Sequence, residues 1–189
     1  NKFFPKNILA SQNFDNHGLG ASTGSLDISY LVENKIMYSI LGHSEVRSNY
    51  DENDSYVSEK LNLCLKNKIT PIVCIGESKS VYKSKITKIF LKSQVNKIFD
   101  KSVHYKEVLL AYEPLWSIGT GLTPELEEIE EISSYLSEIL KNYSFKKINI
   151  LYGGSVNLTN ISDILNLQNV NGVLVGSAST KTDFINYFK

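Results

Sequence analysis

The chain has 189 residues, 42% of them hydrophobic, and 20 basic and 20 acidic side chains give it a formal net charge of zero. A chain of this length can bury a full hydrophobic core, so we expect a single domain that spans residues 1–189. The balanced charge argues against a nucleic acid or an anionic membrane surface as a partner, and no apolar stretch approaches the ~18 residues of a membrane span.

Short apolar runs alternate along the chain with longer helical patterns. The runs are nearly continuous in apolar residues, as is typical of parallel strands that are buried on both faces. Thr123 is the expected N-cap of the third predicted helix, with Pro124 in its first turn. Repeated strand–helix alternation predicts an α/β fold with a parallel sheet. The predicted strands are residues 7–11, 37–41, 71–75, 108–112, 148–152 and 172–175, and the predicted helices are residues 50–66, 80–99, 124–142, 158–165 and 183–188.

The two cysteines show no metal-binding spacing and do not form a disulfide framework. Cys64 lies on a predicted helix and Cys74 in a predicted strand. We therefore predict no metal, no cofactor and a reducing compartment, the cytoplasm. A plastid is the alternative, because any targeting peptide would precede Asn1.

Polar and glycine residues follow the predicted strands, at the edge of the sheet that carries the chemistry in α/β barrels and open sheets. Glu113 ends an apolar run, and partial shielding from water would raise its pKa toward the value that a general base requires. His43 follows another strand, and a helix beginning at Ser44 and Glu45 would favour a neutral imidazole that donates a hydrogen bond. The alternatives are a solvated loop glutamate and a core or capping histidine.

Glycines mark three candidate phosphate contacts, at residues 118–121, 152–155 and 175–177. Glycine lets backbone N–H groups approach a phosphate closely, and the last two segments follow the final two strands, where barrels commonly bind phosphate. Residues 114–121, which we call the lid, would close over the ligand and exclude water. Together these features predict proton transfer next to a carbonyl group on a small phosphorylated sugar.

The segment AYEPLWSIGTG at residues 111–121 resembles the base-and-lid signature of triosephosphate isomerase. Further matches follow in that family's order at residues 10–13, 23–24, 40–45, 71–77, 152–156 and 174–176. The resemblance implies the (β/α)8 barrel fold, here its last six β/α units. It also implies interconversion of dihydroxyacetone phosphate and glyceraldehyde 3-phosphate, a step of glycolysis and gluconeogenesis, with no metal or cofactor.

The resemblance also implies residue roles. Glu113 would be the base, His43 the electrophile and Glu45 a supporting carboxylate, while Thr23 resembles the residue that reaches a neighbouring subunit's site in the family's homodimer. Ser117 and Tyr152 look like partners that hold the closed lid. The implied phosphate contacts are Gly119, Gly153, Gly154, Ser155, Gly176 and Ser177, and the implied lid residues are Pro114, Trp116, Ile118, Tyr152 and Leu174.

The sequence departs from the family pattern at several points. The match begins at the family's third strand, a complete barrel has typically ~250 residues, and the family's Asn-x-Lys segment has no counterpart here. Losing one oxyanion donor costs about 10²–10³ in rate. The alternative is therefore a non-catalytic remnant or a sugar-phosphate-binding pseudoenzyme that lacks the electrophilic lysine, and a third reading is another phosphosugar isomerase on this fold. Ser25 and Val46 replace an intersubunit ion pair, and Ser177 replaces a second glycine.

Overall fold

The computed structural model describes residues 9–16 and 23–187, so residues 7 and 8 of the first predicted strand and residue 188 of the last predicted helix lie outside it. The six strands are Ala10–Ser11 (β1), Tyr38–Leu41 (β2), Thr70–Ile75 (β3), His104–Tyr112 (β4), Ser144–Tyr152 (β5) and Gly172–Val173 (β6). The α-helices are Ile28–Glu33 (α1), Ser44–Tyr50 (α2), Asp54–Lys66 (α3), Lys79–Lys83 (α4), Thr87–Ile98 (α5), Leu126–Leu140 (α6), Ile161–Leu165 (α7) and Thr182–Tyr187 (α8). A short 3₁₀ helix, Ser177–Thr180, precedes α8.

The strands form one sheet in the order β1 to β6, and every neighbouring pair is parallel. Each strand pairs with the next one along the chain, and at least one helix lies between them. This is the arrangement of consecutive β/α units in a (β/α)8 barrel. The predicted α/β fold, with six of the barrel's units, is confirmed.

Helix α6 shows how the sequence builds the core. Its buried residues Ile129, Ile132, Leu136 and Leu140 recur at intervals of three and four, which puts them on one face. The helix begins after Glu125, whose backbone N–H donates to the Glu128 carboxylate at 3.2 Å. The predicted N-cap at Thr123 is therefore wrong, because this reciprocal capping contact starts the helix two residues later.

Two long predicted helices differ from the structure. The predicted helix 50–66 is α3, which begins four residues later, because Asp51 adopts a left-handed conformation (φ 52°) and the Asn53 side chain caps α3. The predicted helix 80–99 is split into α4 and α5 around Lys85, which is also left-handed (φ 58°). Helix α1, capped by the Asp27 carboxylate, was not predicted.

The parallel register brings the residues after the strands to one edge of the sheet. Hydrogen bonding continues one residue beyond β4, β5 and β6: the backbone N–H of Glu113 donates to Ile75 O, that of Gly153 to Tyr112 O, and that of Leu174 to Tyr152 O, each at 2.8 Å. The positions of these residues are therefore set by the sheet itself. β6 ends at Val173, so the predicted strand 172–175 is two residues too long.

Candidate active site

Glu113 lies at the centre of this edge with only 2% of its surface exposed. Burial in a low-dielectric site disfavours its charged form and raises the pKa of its carboxyl group to about 7. The backbone N–H of Ser44 donates to its Oε2 at 3.3 Å and opposes that shift in part. A carboxylate in this state accepts protons readily near neutral pH.

Glycines 76 and 153 allow the backbone and the side chain of Glu113 to be held this closely. A Cβ at Gly76 would lie 1.7 Å from the carbonyl oxygen of Glu113, and one at Gly153 would lie 2.8 Å from its Cγ. Only glycine fits at Gly76, since no backbone adjustment of a few tenths of an ångström relieves such an overlap. The packing of the base is sufficient to account for both glycines, whether or not a ligand is bound.

His43 is the N-cap residue of α2, which begins at Ser44 as expected, so it also has the capping role that the sequence left open as an alternative. Its Nδ1 accepts a hydrogen bond from the backbone N–H of Glu45 at 3.3 Å. A nitrogen that accepts carries no proton, so the neutral ring bears its hydrogen on Nε2. Nε2 lies 3.3 Å from Glu113 Oε1, which makes His43 and Glu113 direct neighbours.

The side chain of Glu45 has a weaker connection to this pair. Glu45 is exposed in the first turn of α2, and its backbone rather than its carboxylate contacts His43. Its charge raises the pKa of Glu113 as a minor contribution. A supporting role for the Glu45 carboxylate stays a prediction.

The lid is anchored at its beginning and exposed at its tip. The Trp116 indole donates to Glu77 Oε1 at 2.9 Å and stacks on Tyr82, with ring centroids 4.4 Å apart. Glu77 is fully buried, and burial raises the pKa of its carboxyl group. Within the described parts of the chain, no hydrogen bond joins residues 118–121 to the loops after β5 and β6.

Ser117 joins the lid to the loop after β5. Its side chain is completely buried, its Oγ lies 3.4 Å from the hydroxyl of Tyr152, and its carbonyl accepts from Ser155 Oγ at 2.5 Å. Ser117 and Tyr152 are therefore neighbours, as predicted, in a conformation whose lid tip is exposed. The closed lid that they were predicted to hold stays a prediction.

The remaining predicted phosphate contacts lie further along the same edge. Leu174 follows β6 and its Cβ approaches the position that a Cβ at Gly153 would take, at 3.5 Å. Gly176 and Ser177 are exposed at the start of the 3₁₀ helix. In the described ranges, neither they nor Gly119 form a hydrogen bond to Glu113 or His43.

Comparison with known proteins identifies the family. The family model for triosephosphate isomerase matches residues 3–189. The chain belongs to the triosephosphate isomerase family.

Individual relatives agree with the family match. The chain is similar to triosephosphate isomerase of Mycoplasma mobile (36% identical, covering 98% of this chain and 76% of the relative). It is also similar to those of Mycoplasmopsis agalactiae (41%, covering 95% and 68%) and Neurospora crassa (37%, covering 96% and 75%). The chain is shorter than these relatives.

Sequence reasoning missed how this isomerase-family chain holds the residue before His43. Arg47 donates from Nε to Gly42 O at 2.7 Å and from a terminal nitrogen to Cys74 O at 3.2 Å, and it pairs with Asp54 at 2.9 Å. The Gly42 N–H in turn donates to Glu52 Oε1 at 3.1 Å. Because both backbone groups of Gly42 are held by charged side chains, the entry to α2 and the position of His43 are fixed.

Glu52, which accepts from the Gly42 N–H, also pairs with a buried lysine. Lys60 is 2% exposed, pairs with Glu52 Oε2 and donates to Asn13 Oδ1 at 2.9 Å. The sequence did contain a signal for the contacts of Arg47, since it is the single arginine among 20 basic residues. Arginine forks bind several acceptors at once, which a lysine cannot do.

The described parts of this family member contain no group of three or more His, Cys, Asp or Glu residues placed to hold a metal ion. None of the helices in the described ranges has the length and apolar character that a membrane span requires.

Proposed function

We propose that this chain interconverts dihydroxyacetone phosphate and glyceraldehyde 3-phosphate, with Glu113 as the base and His43 as the electrophile. Isomerisation of triose phosphates is the reaction of the family to which the chain belongs. The observation that carries the residue assignment is the pair itself: a buried carboxyl group with a pKa of about 7 lies 3.3 Å from Nε2 of an imidazole whose Nδ1 accepts from the Glu45 N–H.

The proposed reaction transfers one proton between adjacent carbons. The Glu113 carboxylate removes a proton from the carbon next to the carbonyl group, and the bonding electrons move to form an enediolate. His43 donates its Nε2 proton to the oxygen that gains charge and takes a proton from the adjacent hydroxyl oxygen, so that one hydroxyl proton moves between the two oxygens. Protonated Glu113 then returns the proton to the neighbouring carbon, which leaves the isomeric triose phosphate and the ionised base.

A pKa near 7 suits both halves of this cycle. The base must be ionised to accept the proton and must hold it long enough to return it, so a pKa near the operating pH gives the best compromise. Burial supplies this pKa. Nε2 of His43 lies 3.3 Å from Glu113 Oε1, and the substrate oxygen would take over the hydrogen bond of Nε2.

The phosphate of the substrate would be bound by backbone N–H groups beside the pair. Ser155 and Gly154 follow β5, and Gly176 and Ser177 continue the same edge after β6. The N–H of Gly153 donates to Tyr112 O, so Gly153 would contribute by the close approach of its backbone rather than as a donor. Gly119, in the exposed tip, would complete the contacts when the lid closes, and Ile118 and Leu174 would then cover Glu113. Glycine and loop N–H groups are well suited to an anion.

The family's reaction also implies an assembly, and we propose a homodimer in which Thr23 reaches the partner's site. Thr23 and Gly24 form an exposed turn, and the neighbouring Leu26 is 45% exposed, so this loop is accessible for docking. Analytical ultracentrifugation of the protein should give a dimer mass. A monomer at micromolar concentration would contradict this proposal.

We further propose that the protein acts in the cytoplasm. Cys64 and Cys74 are both free thiols, which suits a reducing compartment. Fluorescence microscopy of the tagged protein tests this proposal, and accumulation in a plastid would overturn it.

Replacement of the base tests the central assignment. Glu113→Gln keeps the shape of the side chain and removes its basicity, so kcat for triose phosphate isomerisation should fall by about 10²–10⁴. Glu138→Gln is the matched control, because Glu138 is exposed on α6 and, among the described residues, its carboxylate pairs with Lys141 alone. Retention of wild-type kcat in Glu113→Gln, with the fold intact by circular dichroism, would sink the assignment.

A further inference from the structure

The hydroxyl group of Ser117 is saturated with hydrogen bonds inside the protein. It donates its one hydrogen to Leu122 O at 2.5 Å and accepts from the backbone N–H of Ser155 at 3.2 Å. Because that hydrogen is already used, the Tyr152 hydroxyl at 3.4 Å is the donor in the third contact. One donor and two acceptor sites are all that a serine hydroxyl has.

Ser117 occupies both hydrogen-bond donors of Ser155. The N–H of Ser155 points to Ser117 Oγ at 3.2 Å, and the Ser155 hydroxyl donates to Ser117 O at 2.5 Å. The N–H of Ser155 is one of the groups proposed above to bind the substrate phosphate. The beginning of the lid and the phosphate therefore compete for the same donor.

The same hydroxyl also ties the two ends of the lid tip together. Ser117 precedes the tip, and Leu122, whose carbonyl accepts its hydrogen, follows it. Thr120 Oγ1 donates to Ser117 O at 3.0 Å and to Trp116 O at 3.1 Å. The tip is therefore one small loop that is attached at Ser117. A movement of Ser117 away from Ser155 would carry this loop with it.

We propose that the Ser117 hydroxyl is an internal substitute for the substrate phosphate, which keeps the lid in its exposed position until a phosphate displaces it from the N–H of Ser155. This inference rests on the proposed phosphate role of Ser155 and deepens it. Ser117 is then a positioning residue that couples phosphate binding to lid movement. A triose without a phosphate group leaves the contact intact and the lid exposed.

Removal of the hydroxyl should strengthen phosphate binding. In Ser117→Ala the N–H of Ser155 is free, so an incoming phosphate no longer has to break an internal hydrogen bond. Such a bond contributes a net free energy that corresponds to about a 2- to 10-fold change in an equilibrium constant. The Kd of inorganic phosphate should fall by that factor, and KM for the triose phosphate should fall with it, while kcat changes less.

Inorganic phosphate binding to the full-length protein is the test, measured by calorimetry and by the fluorescence of Trp116. Trp116 is the single tryptophan of the chain and precedes Ser117 directly, so its signal reports the lid. In the wild type, phosphate should change this fluorescence, and in Ser117→Ala part of the change should be present before phosphate is added. Ser133→Ala is the matched control, since Ser133 is also completely buried but its hydroxyl has no hydrogen-bond partner among the described residues.

The outcomes separate this inference from the assignment of the base. An unchanged or higher Kd in a folded Ser117→Ala variant refutes the competition, because a hydroxyl that only supports the lid would give that result. If neither protein binds phosphate, the phosphate role of Ser155 fails, and this inference fails with it. Glu113→Gln would still test the base independently, because its readout is proton transfer.

Discussion

The strand-end residues and the lid sit beside each other but are held in opposite ways. Glu113 is buried, its backbone is bonded to β3, and the residue before His43 is clamped at both its N–H and its carbonyl group. The lid tip is exposed and depends on Ser117 and Trp116 for its attachment. The groups proposed to perform the chemistry are thus held by several contacts, as preorganisation requires, and the segment proposed to enclose the ligand is held by few.

Adding a methyl group to a glycine at the strand ends and to a glycine of the lid tip should give the largest difference in stability. Gly76→Ala places a Cβ 1.7 Å from the Glu113 carbonyl oxygen, so β3 and β4 must separate, and the free energy of unfolding should fall by more than about 3 kcal/mol. Gly119→Ala meets nothing within 4 Å and suffers only its left-handed φ of 68°, at about 1 kcal/mol. Urea denaturation measures both, and equal losses would contradict the contrast.

The buried base should make stability and activity respond to pH in opposite directions. The pKa of Glu113 is about 7 in the folded chain, above its ordinary value of 4.5. Between these two pH values the folded state therefore binds more protons than the unfolded state. The contribution of Glu113 to stability is fully present below pH 4.5 and is lost as pH rises through 7, a change of about 3 kcal/mol. Over the same range, kcat/KM should rise as the base ionises.

The Glu113→Gln variant isolates that effect. Glutamine does not titrate, so the difference in unfolding free energy between variant and wild type should grow in the variant's favour from pH 5 to pH 8. Burial raises the pKa of Glu77 as well, but Glu77 is present in both proteins and cancels. A difference that stays constant with pH would show that Glu113 is not the titrating group.

Weakening the contacts of Arg47, which hold the residue before His43, should have a smaller effect on stability. Arg47→Lys keeps the charge but not the fork that bonds Gly42 O, Cys74 O and Asp54, so unfolding free energy should fall by about 1–3 kcal/mol and kcat should fall as His43 shifts. Lys141→Met, in an exposed pair with Glu138, is the control and should change stability by less than about 0.5 kcal/mol. Lid fluorescence from Trp116 should be unchanged in both variants.

Much of the fold was predictable from sequence because its signals are local. Apolar runs identified all six strands in order, and the segment from Glu113 to the lid carried the family resemblance. The late start of α3 after Asp51 and the break at Lys85 were missed, because the left-handed backbone of these two residues depends on packing and leaves no mark in the helical periodicity. The N-cap of α6 was also missed. A hydroxyl residue before proline favours Thr123, but the contact of Glu125 with Glu128 places the N-cap at Glu125.

For the site, the sequence alone determined which residues stand at the strand ends: His43, Glu113, and the glycines after β5 and β6. The tertiary structure decided what surrounds them. It set the pKa of Glu113 through burial and placed Ser44, 69 residues away in the chain, against its carboxylate. It also brought Ser117 to Ser155 across 38 residues. Such contacts depend on the three-dimensional meeting of segments, and no local pattern of residue types records them.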